Sequence, residues 1–143
     1  MQIDIKRISS YLDQIIIETE VIAKTLARQN GEILRSDLDL RSLKYSLIVI
    51  SESIANTLHH LLAKNFQIAV SGYKEVLAKA SERNLLSKRL SDRLLPFIRF
   101  RNMLVHQYWE VDEQLLLNNL RDGLDDFRCF VKEIKKLIEE NES

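Results

Sequence analysis

Residues 117–138 read LNNLRDGLDDFRCFVKEIKKLI, and this stretch decides the fold. Leu117, Leu120, Leu124, Phe127, Val131, Ile134 and Ile138 recur at spacings of three and four, the period of one face of an α-helix. Asp112 stands ahead of them as an N-cap. The same period runs through Ile5, Ile8, Leu12, Ile15, Thr19, Ile22 and Leu26, predicting a first helix over residues 2–29 that ends at the C-cap pair Asn30-Gly31. Ser36-Asp37 caps a second helix whose face is Leu40, Leu43, Leu47, Ile50, Ile54, Leu58 and Leu61. Ser71-Gly72 opens a shorter helix that closes near Glu82, with Arg83-Asn84 marking the break. A fourth long helix runs from Ser87 to Val105 through Leu90, Leu94, Phe97, Arg101 and Leu104. Pro96 lies inside it or at a restart, predicting a bend just before Arg101. The sum is an all-α, antiparallel helical bundle of four long helices plus one short helix, in a single helical domain over residues 1–143.

Composition agrees. Three glycines and one proline among 143 residues leave too few turn formers for an all-β chain. The longest apolar run, about Leu47 to Ile50, is far below the roughly 20 residues that span a bilayer, so no membrane segment is expected. Met1 to Arg7 lacks the pattern of a secretory signal, and one cysteine, Cys129, permits no intrachain disulfide. Both point to the cytoplasm.

Twenty-one basic and twenty-one acidic residues cancel, but unevenly along the chain. Residues 1–78 carry nine of each sign; residues 79–106 carry seven basic against two acidic; residues 107–143 carry five basic against ten acidic. The basic segment, with Lys88, Arg89, Arg93 and Arg99, suits an anion-binding surface on a neutral protein, although a charge run is commonly just a solvated face.

The inventory of reactive groups is short. Neither His59 nor His60 follows a glutamate at the di-iron spacing, and neighbours on a helix diverge by about 100°, so the pair cannot grip one metal. Gly31, Gly72 and Gly123 stand apart and build no phosphate loop. No metal and no cofactor is implied. What remains is the segment 99–109, RFRNMLVHQYW, which places a permanent guanidinium, a titratable imidazole and a phenol within eight residues at the end of the basic stretch. Its plainer reading is a helix end with a favourable histidine and Tyr108 packed beside Trp109.

With Ser71-Gly72-Tyr73-Lys74-Glu75 upstream, the string Arg101-x-x-x-x-His106-x-Tyr108 in an all-helical chain of this size resembles the HEPN superfamily and, within it, the HepT-type toxins. The resemblance spans nearly the whole chain. It implies a homodimeric, metal-independent RNA endonuclease toxin of a type VII toxin–antitoxin pair, with Arg101 and His106 catalytic and Asn102 as their polar neighbour. It further implies an antitoxin, an MntA-type nucleotidyltransferase, that neutralises the toxin by transferring adenylate from ATP to Tyr108.

The chemistry is consistent with that resemblance. RNA carries its own nucleophile, the 2′-hydroxyl, so cleavage needs a proton acceptor, a proton donor and a cation for the phosphorane oxygens. Five helical residues turn through about 500°, which sets Arg101 and His106 roughly 140° apart on a straight helix. Either the helix ends before His106 or a second chain completes the site. One histidine per chain also leaves acid–base catalysis one group short, so a two-fold dimer with a composite active site is expected, Lys88, Arg89, Arg93 and Arg99 flanking a shared RNA groove. The alternative is a non-catalytic helical module that binds a nucleotide or a partner.

Overall fold

A computed structural model of the chain describes residues 3–142. Asp4 caps the first helix, α1 (Ile5–Leu26), by accepting the Arg7 amide at 3.0 Å; the expected start at residue 2 lies outside the described residues. Ser36 caps α3 (Asp37–Phe66) through the Asp39 amide, and Ser87 caps α5 (Lys88–His106) through the Leu90 amide. Asp112 caps α6 (Glu113–Glu142) through the Leu115 amide. The short α4 (Tyr73–Glu82) starts from Gly72, whose φ of 86° is open to glycine at no steric cost.

One boundary differs from expectation. The Asn30-Gly31 pair does not end α1 as a left-handed C-cap; α1 stops at Leu26, and Asn30–Leu34 forms a further helix, α2. The reason lies in α6. Arg121 donates to the carbonyls of Leu26 (2.8 Å) and Arg28 (2.7 Å) and to Asn30 Oδ1 (2.7 Å), so the free carbonyls after α1 are satisfied from a distant helix. Along α5 the helix runs unbroken through Pro96 to His106, so of the two placements expected for the proline the one inside the helix holds.

The long helices α1, α3, α5 and α6 form an antiparallel ring, α1 and α5 each packed on both α3 and α6, with a lighter contact between α3 and α6. Contacts run in opposite order along each pair. Asp4 meets His60 and Glu18 meets Ser46 between α1 and α3; Glu52 meets Arg101 between α3 and α5. Ser87 meets Glu133 and Arg93 meets Asp126 between α5 and α6; Arg128 meets Glu20 between α6 and α1. Ile8, Ile15, Ile22, Leu43, Leu47, Ile50, Leu58, Phe127 and Phe130 are fully buried inside the ring. On α6 the expected face is largely the buried one, widened by Leu116 and Phe130, while Leu124 and Ile138 lie half-buried at its edge. Phe97 and Phe127 cross edge to face at 4.8 Å, and Gly123 leaves the space that the Phe97 ring occupies.

Candidate functional site

Arg101 sits on α5 where that helix crosses α3, and three elements hold its guanidinium. One terminal nitrogen donates to Glu52 Oε1 of α3 at 3.0 Å, the other to its neighbour Asn102 Oδ1 at 3.1 Å. The central carbon of the group, Cζ, lies over the ring of Tyr73, the first residue of α4, 4.2 Å from its centroid. With only 13% of its side chain exposed, Arg101 is a largely desolvated cation, yet its Nε–H has no partner among the described residues. A guanidinium has five N–H donors; with Nε–H buried and one hydrogen of each terminal nitrogen engaged, the remaining terminal hydrogens are those that could meet an anion.

His106 is the last residue of α5, exposed, and its ring makes no hydrogen bond or ion pair among the described residues. Because α5 is helical through His106, the roughly 140° between it and Arg101 is retained. The structure thus joins Arg101 to Asn102 and leaves His106 on another face. After Gln107 the chain turns into a single 3₁₀ turn, Tyr108–Glu110. Tyr108 is part-exposed and its ring lies 4.3 Å beneath the ammonium of Lys44 on α3. Trp109 does not cover the core: it is 78% exposed.

The four basic residues divide. Lys88, Arg99 and His106 fall within about 20° of one another around α5, along one solvent-facing line about 27 Å long. Arg89 is exposed but about 100° away from that line. Lys88 makes an exposed ion pair with Asp92. Arg93 faces α6, its Nε donating to both carboxylate oxygens of Asp126 and a terminal nitrogen to the Asp122 carbonyl, so it already has a structural task. Beside Arg99, an apolar hollow of about 250 Å³ opens between Pro96, Phe100, Met103 and Leu115.

Glu52, Tyr73 and Lys44 are the residues that reading the sequence for function passed over. Glu52 and Lys44 are charged residues set in the otherwise apolar and small-residue stretch 43–55, which marks each as needing a partner. Tyr73 lies in the Ser71–Glu75 string that supports the family resemblance. His60 is structural: its Nε2 accepts the Asp4 amide at 3.0 Å, and burial, with Arg7 and Lys64 nearby, pushes its pKa down. Among the described residues no group of three or more His, Cys, Asp or Glu side chains is arranged to hold a metal ion, and no helix is long and apolar enough to cross a membrane.

Residues 3–134 match a family model described as ribonuclease HepT-like. No curated protein matches the chain in sequence. Among solved structures, the fold is similar to that of a tri-AMPylated HEPN toxin from Shewanella oneidensis in complex with MNT antitoxin, at 19% identity and a TM-score of 0.84, covering 91% of this chain and 97% of that one. It is also similar to a mutant form of the MntA-HpeT toxin–antitoxin, at 18% identity and a TM-score of 0.81, covering 92% and 98%. A cytosolic protein of unknown function from Bacillus subtilis, YutE, is similar at 18% identity and a TM-score of 0.81, covering 97% and 93%. At these identities the likeness is one of fold.

Proposed function

This chain belongs to the ribonuclease HepT-like family, and from that membership we propose that it is the toxin of a toxin–antitoxin pair, a cytoplasmic homodimer that cleaves RNA without a metal ion. The observation that carries the reading is the state of Arg101: a guanidinium held by Glu52, Asn102 and Tyr73, largely out of water, whose terminal nitrogens carry N–H donors beyond the two already engaged. Such a fixed cation suits an anion that arrives with its charge concentrated, as a phosphorane does.

In the proposed reaction a neutral His106 takes the proton of the 2′-hydroxyl, whose oxygen attacks the adjacent phosphorus. The bond from phosphorus to the 5′-oxygen breaks, and the leaving oxygen receives a proton from the His106 of the second chain. The products are a 2′,3′-cyclic phosphate and a 5′-hydroxyl. Arg101 donates to the non-bridging oxygens. The 140° between Arg101 and His106 supports a site completed across the two-fold axis, as do the exposed apolar side chains of Met103, Val105, Leu115 and Trp109 around the end of α5. The line of Lys88 and Arg99 leading to His106 gives the RNA backbone a track, and Arg89 adds charge beside it. The nucleotidyltransferase partner would silence this site by adenylylating Tyr108, two residues from His106.

The competing reading, a non-catalytic nucleotide- or partner-binding module, draws on the same contacts, since an arginine already bonded to Glu52 and Asn102 also describes a structural tie. Purified protein incubated with RNA in excess chelator separates the two. Cleavage that leaves cyclic phosphate ends, absent in His106→Ala and absent on a substrate with a 2′-deoxy sugar at the cut, is the expected result. No cleavage by folded wild-type dimer, or cleavage of the deoxy substrate, overturns the proposal.

A further inference from the structure

Lys44 is a charged residue where an apolar one would pack at lower cost. Its side chain is 7% exposed, and its ammonium donates to Glu113 Oε2 of α6 at 2.6 Å while standing 4.3 Å over the Tyr108 ring. Desolvating an ammonium costs several kcal/mol before its partners repay it, and a methionine would fill a similar volume without that penalty. The cation therefore has a use beyond filling space. What it touches is a side chain with little else to hold it. Tyr108 lies in a three-residue turn, with no side-chain cap, anchored through the amides of Gln107 to Met103 and of Glu110 to Gln107. Its hydroxyl makes no hydrogen bond among the described residues, and it is 43% exposed. The side chain is thus partly open to solvent while a cation lies over one face of its ring.

We propose that Lys44, held by Glu113, is the positioning residue through which this protein presents Tyr108 to its nucleotidyltransferase. The inference rests on the adenylylation of Tyr108 put forward above. In that reaction the phenol oxygen loses its proton to a base of the transferase and attacks the α-phosphorus of ATP. The bond to the β-phosphate bridging oxygen breaks, and pyrophosphate leaves with the electron pair. A cation over the ring acts in two ways. It keeps the aromatic plane in one orientation through attraction to the ring's electron-rich face, so the oxygen meets the phosphorus without searching. It also stands near enough to the phenol for a non-bridging oxygen of the new phosphodiester to take up one of its N–H donors as charge develops there. Glu113 keeps the ammonium aimed, and it is itself partly exposed.

The test is adenylylation of intact protein by its nucleotidyltransferase with ATP, with the site mapped by mass and Tyr108→Phe as background. Lys44→Met and Lys44→Gln remove the charge at similar volume and provide two chances of a well-folded neutral variant. Both are expected to lower kcat for the first transfer about tenfold or more with KM for the protein substrate within about twofold, and Lys44→Arg to recover to within about threefold. No adenylate on wild-type Tyr108 removes the regulatory reading beneath the inference. Adenylate on wild type and on a neutral variant at equal kcat overturns the role of Lys44 and leaves that reading intact. A loss that appears in KM together with a lowered Tm, and that arginine does not rescue, makes Lys44 a packing residue and overturns the proposal as well.

Discussion

The guanidinium of Arg101 on α5 and the carboxylate of Glu52 on α3 meet at 3.0 Å, directly above the face of Tyr73. This pairing fixes a cation that a free side chain would let wander. Glu52→Gln keeps a hydrogen-bond acceptor but loses the charge, and is expected to slow RNA cleavage about tenfold by loosening Arg101. Arg101→Lys is expected to lose about a hundredfold, because an ammonium cannot serve Glu52, Asn102 and the Tyr73 face at once. Single-turnover cleavage of a labelled RNA measures both. Rates equal to wild type would reduce the Arg101 cluster to a tie between helices.

If both copies of His106 act in one turnover, heterodimers of wild-type and His106→Ala chains should have much less than half the wild-type activity per dimer. Activity that simply tracks the number of intact chains would mean that each chain cuts alone. Tandem affinity tags isolate the mixed species for this comparison.

A β-carbon at position 123 would lie 2.4 Å from the Phe97 ring, which packs edge to face on Phe127, so that ring contact must shift to admit it. Gly123→Ala gains helix propensity of roughly 1 kcal/mol and loses more through overpacking, for a net destabilisation of about 1–2 kcal/mol. A lowered chemical-denaturation midpoint is the expected result. An unchanged or raised midpoint would show that α5 and α6 can slide apart at no cost.

His60 predicts how stability varies with pH. The folded protein keeps its imidazole neutral, chiefly through burial and secondarily through Arg7 and Lys64, while Asp4 opposes them weakly. Its folded pKa thus lies below the ordinary 6.5, so in the window beneath that value the unfolded chain binds the extra proton. Stability is full above the ordinary value and falls as pH falls through the window. Protonation also removes the Nε2 lone pair that accepts the Asp4 amide. His60→Gln retains an acceptor without titrating. Its Tm should drop less than that of wild type between pH 7 and 5.5, with His59, also pushed down by burial, contributing the remaining slope. Parallel curves for the two proteins would rule the coupling out.

Periodicity alone was enough to read the long helices, because each has one buried face and the caps Ser36, Ser87 and Asp112 are local chemistry. The end of α1 was not legible: the donor that satisfies its carbonyls is Arg121, and no local signal in residues 27–31 reports a partner on the last helix. The same limit applied to the site. The string from Arg101 to Tyr108 is contiguous and could be seen, whereas Glu52, Tyr73 and Lys44 join it only through the packing of α3 and α4 against α5. Nor does spacing distinguish Arg93, turned towards Asp126, from Arg99, turned towards solvent.

The Arg121 clamp also sets an order in time. The carbonyls of Leu26 and Arg28 wait for a donor 95 and 93 residues downstream, so on the ribosome the first hairpin emerges with its far end unfinished. A chain stopped at residue 112 would contain Arg101, His106 and Tyr108 yet lack the helix that closes the ring. In such a fragment the amides of the last turn of α1 are expected to exchange with solvent far faster than in the whole chain, a difference readable by mass spectrometry. A broken message would thus yield Arg101, His106 and Tyr108 without the last helix, whose Arg121 finishes the end of α1.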